Sequence, residues 1–219
     1  MNIGDFKYTV ISPKGVEPHE LRDRSFEMWY EVWTNAYKAY WGSSEIFSDQ
    51  FTRQAQQGIL EYQGEVIGTL AFDLKNLELK TTREDSYFRM WDEVSYQKLK
   101  DSSDNGKVLV CSWFTLSSKF RKENKGFDAK RLLVEVGIRH FEASLEKTMV
   151  GTMVHVGNLQ EVCYDLGSTC IRKDHEEKGL PVDLMFWSRE KSGMFLNYKF
   201  KTILDNIIPI KSDSLSSVA

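Results

Sequence analysis

Apolar and polar positions change period several times along the chain, and each change predicts an element. FKYTVI, residues 6–11, alternates as a strand until Ser12-Pro13 stops it. From Pro18-His19 to about Tyr40, the residues Phe26, Trp29, Tyr30, Trp33, Ala36, Tyr37 and Tyr40 recur every three or four positions, the spacing of a long helix with a broad aromatic face. Such a face packs on a sheet, while its end, YKAYWGSS at 37–44, is also suited to line a pocket. Ser48-Asp49 caps a short helix predicted to run through Gln57, with Gly58 ending it. GILEYQGEVIGTLAFDL then predicts a hairpin: residues 59–62, a Gln63-Gly64 turn, and residues 66–72. Within 75–106, Asp85 or Ser86 opens a helix whose stripe is Tyr87, Met90, Trp91, Val94 and Leu99.

Residues 107–167 carry the sharpest change of period. Val108, Val110, Trp113 and Phe114 belong to a β-prone run between Asn105-Gly106 and Ser117-Ser118. From Asp128 the pattern turns helical, with Leu132, Leu133, Val136, Ile138, Phe141 and Leu145 on one face. A second strand and a short helix ending at Gly167 follow. Cys170 to Lys173 leads to a loop, HEEKGLPV, then the alternating strand DLMFWSRE and a C-terminal helix SGMFLNYKFKTILDNII with Phe195, Tyr198, Ile203 and Ile207 inward. Pro209 and the serine-rich tail to 219 are expected outside one packed domain of residues 1–208.

Asp128 as N-cap leaves the first helical amides facing the loop 121–126. With Lys119, Arg121, Lys122, Lys125, Lys130 and Arg131 around it, that helix start is suited to phosphate; a solvated turn with ordinary lysines is the alternative. A net charge of −3 supplies no global field toward nucleic acid, and no apolar run reaches the roughly 18 residues of a membrane span. Three cysteines, Cys111, Cys163 and Cys170, lack metal spacing, and their odd count fits a reduced, cytoplasmic protein. Walker, GxSxG and HExxH patterns are absent.

The order strand, basic loop, helix, strand, Asn-containing helix resembles the acyl-CoA-dependent N-acyltransferases of the GNAT superfamily over residues 6–190, most tellingly in FTLSSKFRKENKGFDAKRLL and VHVGNLQEVCYDLG. The family's phosphate loop has the form (Gln/Arg)-x-x-Gly-x-(Gly/Ala). With Gly126 as its first glycine, Glu123 and Asp128 stand at the outer positions. So glycine-poor a loop is closer to the relatives fed by acyl carrier protein, the N-acyl amino acid synthases and acyl-homoserine lactone synthases. The resemblance implies an α/β (α+β) fold, with a mixed, mostly antiparallel sheet that splays into a V between its fourth and fifth strands and is flanked by helices. It implies no permanent cofactor and no metal. The co-substrate is acyl-CoA or an acyl-phosphopantetheine on a carrier protein, and the acceptor a small amine. Contacts to the donor fall on Trp113, Phe114, Thr115, Leu116, Arg121, Lys122, Lys125, Gly126, Phe127 and Asp128. The inserted helix at 75–106 either packs on its own domain or serves as acyl-channel wall, lid or homodimer contact.

For chemistry, the resemblance points to Tyr164 as proton donor to the leaving thiolate and to Asn158 as a cap that reaches the donor. His155 offers an imidazole and is the candidate base, with Glu31 or a water as substitutes. Each also has a plain structural reading: a packed aromatic, a helix cap, a hydrogen-bonded strand end. An N-acyltransferase biased to medium or long chains is therefore the leading expectation. The rivals are a non-catalytic binding module of the same fold and an α/β domain that binds a phosphorylated metabolite.

Overall fold

The computed structural model describes residues 2–16, 19–43, 45–121, 126–177, 179–190 and 198–209. Seven strands form one sheet in the order β1-β2-β3-β4-β5-β7-β6, and every neighbouring pair is antiparallel except β4 and β5. The strands are β1 (Phe6–Ile11), β2 (Gln56–Tyr62), β3 (Glu65–Asn76), β4 (Lys107–Leu116), β5 (Thr148–Val154), β6 (Thr169–Glu177) and β7 (Leu180–Ser188). A parallel neighbour requires a crossover, supplied by α5 (Ala129–Ala143). The remaining helices are α1 (Glu20–Trp41), α2 (Asp49–Thr52), α3 (Lys80–Arg83), α4 (Glu93–Asp101), α6 (Leu159–Asp165) and α7 (Lys201–Ile207). This is the mixed sheet expected from the sequence.

Two cores sandwich the sheet. On one face Leu132, Leu133, Val136 and Phe141 of α5 pack with Leu70, Met149, Met185 and Trp187. The other face buries Val108, Val110, Val150 and Leu184 beneath Phe88, Trp91, Tyr96 and Leu99. Helix α1 begins where the His19 ring accepts the Arg22 amide at 3.2 Å, and ends at Gly42, whose φ of +67° suits glycine. Its aromatic face divides: Trp29 is buried against Phe51, while Tyr40 is exposed.

Several expectations fall. The helix through Gln57 stops at Thr52, because Gln56 and Gln57 already pair with β3. Gly58 is an interior strand residue, and the Tyr8 ring occupies the space a side chain would fill. In the insertion, Asp85 caps only a turn, taking the Tyr87 amide at 2.9 Å; Asp92 is the true cap, taking Ser95 at 2.9 Å. Met90 and Val94 consequently face solvent, and the buried side chains are Phe88, Trp91, Tyr96 and Leu99. Leu145 lies beyond the end of α5 and is 94% exposed. Most of HEEKGLPV is strand, since Glu176 pairs with Pro181 and Glu177 with Leu180, and Cys170 sits on β6. The C-terminal helix begins only at Lys201, so Tyr198 lies before it; Ile203 is buried, while Phe195 and residues 210–219 lie outside the described residues. Among the described residues, no helix is long and apolar enough to cross a membrane.

Candidate active site

β4 and β5 touch through only two residue pairs, Leu109 with Met149 and Val110 with Val150. Beyond them β5 stays paired to β7 through Val154 and β4 stays paired to β3 through Leu116, so the two halves of the sheet part as a V. Among the described residues, the β5-facing edge of β4 from Cys111 onward has no ladder partner. Unpaired strand edges of this kind are ready to accept the amides of an extended ligand.

At the vertex β4 bulges. Thr69 pairs with Thr115 and Ala71 with Ser112, so Trp113 and Phe114 both stand opposite Leu70. Trp113 takes φ +52°, which costs a non-glycine residue about 1–2 kcal/mol. Its ring lies edge-on against Trp29 at 5.3 Å and Trp33 at 4.8 Å, contacts of about 0.5–1.5 kcal/mol each. The Thr115 hydroxyl donates to the Trp113 carbonyl at 2.7 Å and accepts the Trp33 indole N–H at 2.9 Å. Helix α1 thus holds the bulge through its indole.

A groove of about 480 Å³ fills the V, between Val32, Trp33, Ala36 and Tyr40 of α1 and Val156, Gly157 and Leu159 after β5. Phe114 and Leu116 form its back wall. Deeper between the strands lies a second cavity of about 100 Å³, and Trp33, Phe114, Val154 and Leu159 line both.

The expected phosphate seat is modified by its own cap. Asp128 does cap α5, its carboxylate taking the Arg131 amide at 2.9 Å. That carboxylate therefore occupies part of the site an anion would use. Arg121 reaches the groove while its Nε donates to the Leu116 carbonyl at 3.1 Å, and Lys130 donates across to the Gly157 carbonyl at 2.7 Å. Gly126, at φ +78°, makes the turn into α5. Phe127 anchors the loop against Phe6 and Tyr62. Lys122 and Lys125 lie outside the described residues.

His155 and Tyr164 come together away from the groove, on a residue the sequence reading passed over. Buried Asp183 of β7 accepts Tyr164 Oη at 2.5 Å, pairs with His155 Nε2 at 2.9 Å and accepts the Asp174 amide at 2.9 Å. Burial pushes the Asp183 carboxyl up, but these donors outweigh it and hold its pKa below the ordinary carboxylate value. Burial, then the bonded carboxylate, raises the Tyr164 phenol well above its usual value. Asn158 is exposed with φ +57°, and its side chain caps nothing in α6. Among the described residues, neither cavity has Tyr164, Asn158 or His155 in its lining, although Val154, Val156 and Gly157 are there. Glu31, the substitute base, does line the groove, 3.4 Å from the Ser118 hydroxyl. Asp183 had a readable signal: in DLMFWS it shares a face with Met185 and Trp187, an acid where a core residue is due.

No family model matches the chain, and no curated protein is similar to it in sequence. Solved structures do share its fold. An N-acyl amino acid synthase from uncultured soil microbes, FeeM, superposes with a TM-score of 0.59 at 11% identity, over 88% of this chain and 94% of that one. The AHL synthase LasI gives 0.56 at 11% identity, over 88% and 94%. TofI, solved in a ternary complex with an inhibitor and MTA, gives 0.55 at 10% identity, over 91% and 96%. The fold is the GNAT fold expected from the sequence.

Proposed function

We propose that the chain is an N-acyltransferase that moves an acyl group longer than acetyl from a phosphopantetheine thioester to an amine, such as that of an amino acid. The observation that carries this reading is the V itself, an unpaired β4 edge running past a bulge into an apolar chamber. In this reading the pantetheine amides pair along residues 113–116, with the phosphate directed toward Arg121 and the start of α5. The amine enters along the α1 face and attacks the thioester carbonyl. The resulting oxyanion is met by a main-chain amide of the bulge. The C–S bond then breaks to give the amide and a thiolate, which takes a proton from solvent, while the proton lost by the amine passes to Glu31 or a water it holds. Likeness to N-acyl amino acid and AHL synthases supports the class. The acidic Asp128 cap, which leaves little room for a pyrophosphate, favours acyl carrier protein over CoA as donor.

Tyr164, His155 and Asn158 enter this reading as positioning residues of the β5–α6 turn. The test is incubation with acyl-CoA and acyl-carrier thioesters and a panel of amino acids, read by mass spectrometry. Transfer to an amine is expected; absence of transfer together with absence of any melting shift contradicts it. One observation favours a second reading, a binding module without turnover: Tyr164, His155 and Asn158, the residues expected to carry the chemistry, stand outside the groove lining. Melting shifts without product would select that reading.

A further inference from the structure

We propose that the inner chamber measures the acyl chain and that Gly137 sets its depth, an inference that rests on the acyltransferase reading above. Gly137 lies in the interior of α5, where glycine weakens a helix relative to alanine. Its φ is not in the left-handed region, so the backbone does not require glycine there. Space is tight: a Cβ at this position would stand 3.0 Å from Leu70 Cδ1, so the Leu70 side chain would have to shift, and Gly137 is part of the chamber wall. Its absence of a side chain trades helix propensity for volume.

The rest of the chamber suits hydrocarbon and has a firm end. Trp187 and Met149 close it; the Trp187 indole donates to the Leu166 carbonyl at 3.1 Å, which fixes the ring. The polar atoms in the wall carry no charge. Burial pushes the Cys111 thiol up to about 12, and the Thr152 hydroxyl is bonded to Tyr87 at 3.3 Å. Entry is through the collar of Trp33, Phe114, Val154 and Leu159. An apolar cavity of about 150 Å³ accommodates benzene, so a chamber of about 100 Å³ takes roughly four carbons. With the carbonyl held at the bulge and the chain crossing the collar, the fitting donor is an unbranched saturated acyl group of about six carbons. Acetyl does not reach the chamber, and a palmitoyl chain exceeds it.

The test is a series of acyl-pantetheine thioesters from acetyl to dodecanoyl, with melting shift and kcat/KM measured for the wild type, Gly137→Ala and Gly137→Val. Alanine, the better helix former, keeps the fold secure if valine does not. The wild type should show an optimum near hexanoyl. Gly137→Val should lower the octanoyl-to-butyryl ratio about tenfold, the cost of unburying roughly two methylenes, with Gly137→Ala between. Thioesters that bind with the same chain-length profile in all three proteins overturn the chamber assignment and leave the acyltransferase reading standing. If no thioester binds any of the proteins, both fall.

Discussion

The two sides of β5 are built on opposite principles. On the side facing β4 lies a largely apolar groove whose charged lining residues are Glu31, Arg121, Asp128 and Lys130. Behind β5, under α6, the side chains that look most like catalysts (a histidine, a tyrosine and an acid) satisfy one another around Asp183. The contrast shows that a cluster of titratable residues and a cavity need not coincide. In the groove, the proposed function rests on a displaced strand edge and a strained bulge. Behind β5, the same residue types act as a staple that keeps β5, β6, β7 and α6 in register while the V stays open.

That contrast can be broken most forcefully at Asp183. Asp183→Ala strands three donors around a buried site and should cost about 3–5 kcal/mol of stability, measured by urea unfolding. The sign of its pH dependence follows from the depressed folded-state pKa. Its contribution is complete above the unfolded carboxyl value of ~3.9 and fades as pH falls through the lower folded value, so Asp183→Asn should flatten the acid limb of the urea midpoint profile. On the groove side, Glu31→Gln should lower kcat about 10²-fold with little change in melting temperature, because the carboxylate is exposed. An unchanged kcat would remove Glu31 from the proton path.

Thr115→Val sharpens the comparison by cutting the link between α1 and the bulge. It leaves the Trp33 indole and the Trp113 carbonyl without their shared partner and should cost about 2 kcal/mol, together with a weaker thioester melting shift. The smallest effect belongs to Tyr164→Phe. As a staple it should cost about 1 kcal/mol and leave kcat within about twofold. A kcat loss of a hundredfold or more would return Tyr164 to the chemistry.

Much of the sheet was legible because burial imposes period two on strands and a wider stripe on helices. The hairpin of β2 and β3 and the switch from strand to helix at Asp128 were both expected, and both are present. What escaped was tertiary in origin. Gln56 and Gln57 read as a helix end, yet pairing with strands on both sides draws them into β2. Asp85 and Asp92 both read as caps, and only the burial of Phe88 and Trp91 selects the second. The bulge at Trp113 had no local signal, since a tryptophan at positive φ is stable only inside the cluster that α1 brings to it. Of the residues expected to contact the donor, Phe114, Leu116, Arg121, Phe127 and Asp128 line the groove and Trp113 lines the inner cavity, while Lys122 and Lys125 lie outside the described residues. Two of the expected catalytic three, His155 and Tyr164, lie off the groove because the end of β5 and the orientation of α6 direct them to Asp183, a relation that sequence spacing does not encode; the third, Asn158, is exposed.

The central claim, that the V between β4 and β5 seats an acyl thioester, is tested most directly by photolabelling. An acyl-CoA or acyl-pantetheine with a diazirine in its chain is irradiated with the protein and the crosslinks are mapped by peptide mass spectrometry. Labels should fall within residues 111–116, 133–138 and 149–154. Labelling confined to the opposite face, on residues 88–99, would contradict the account.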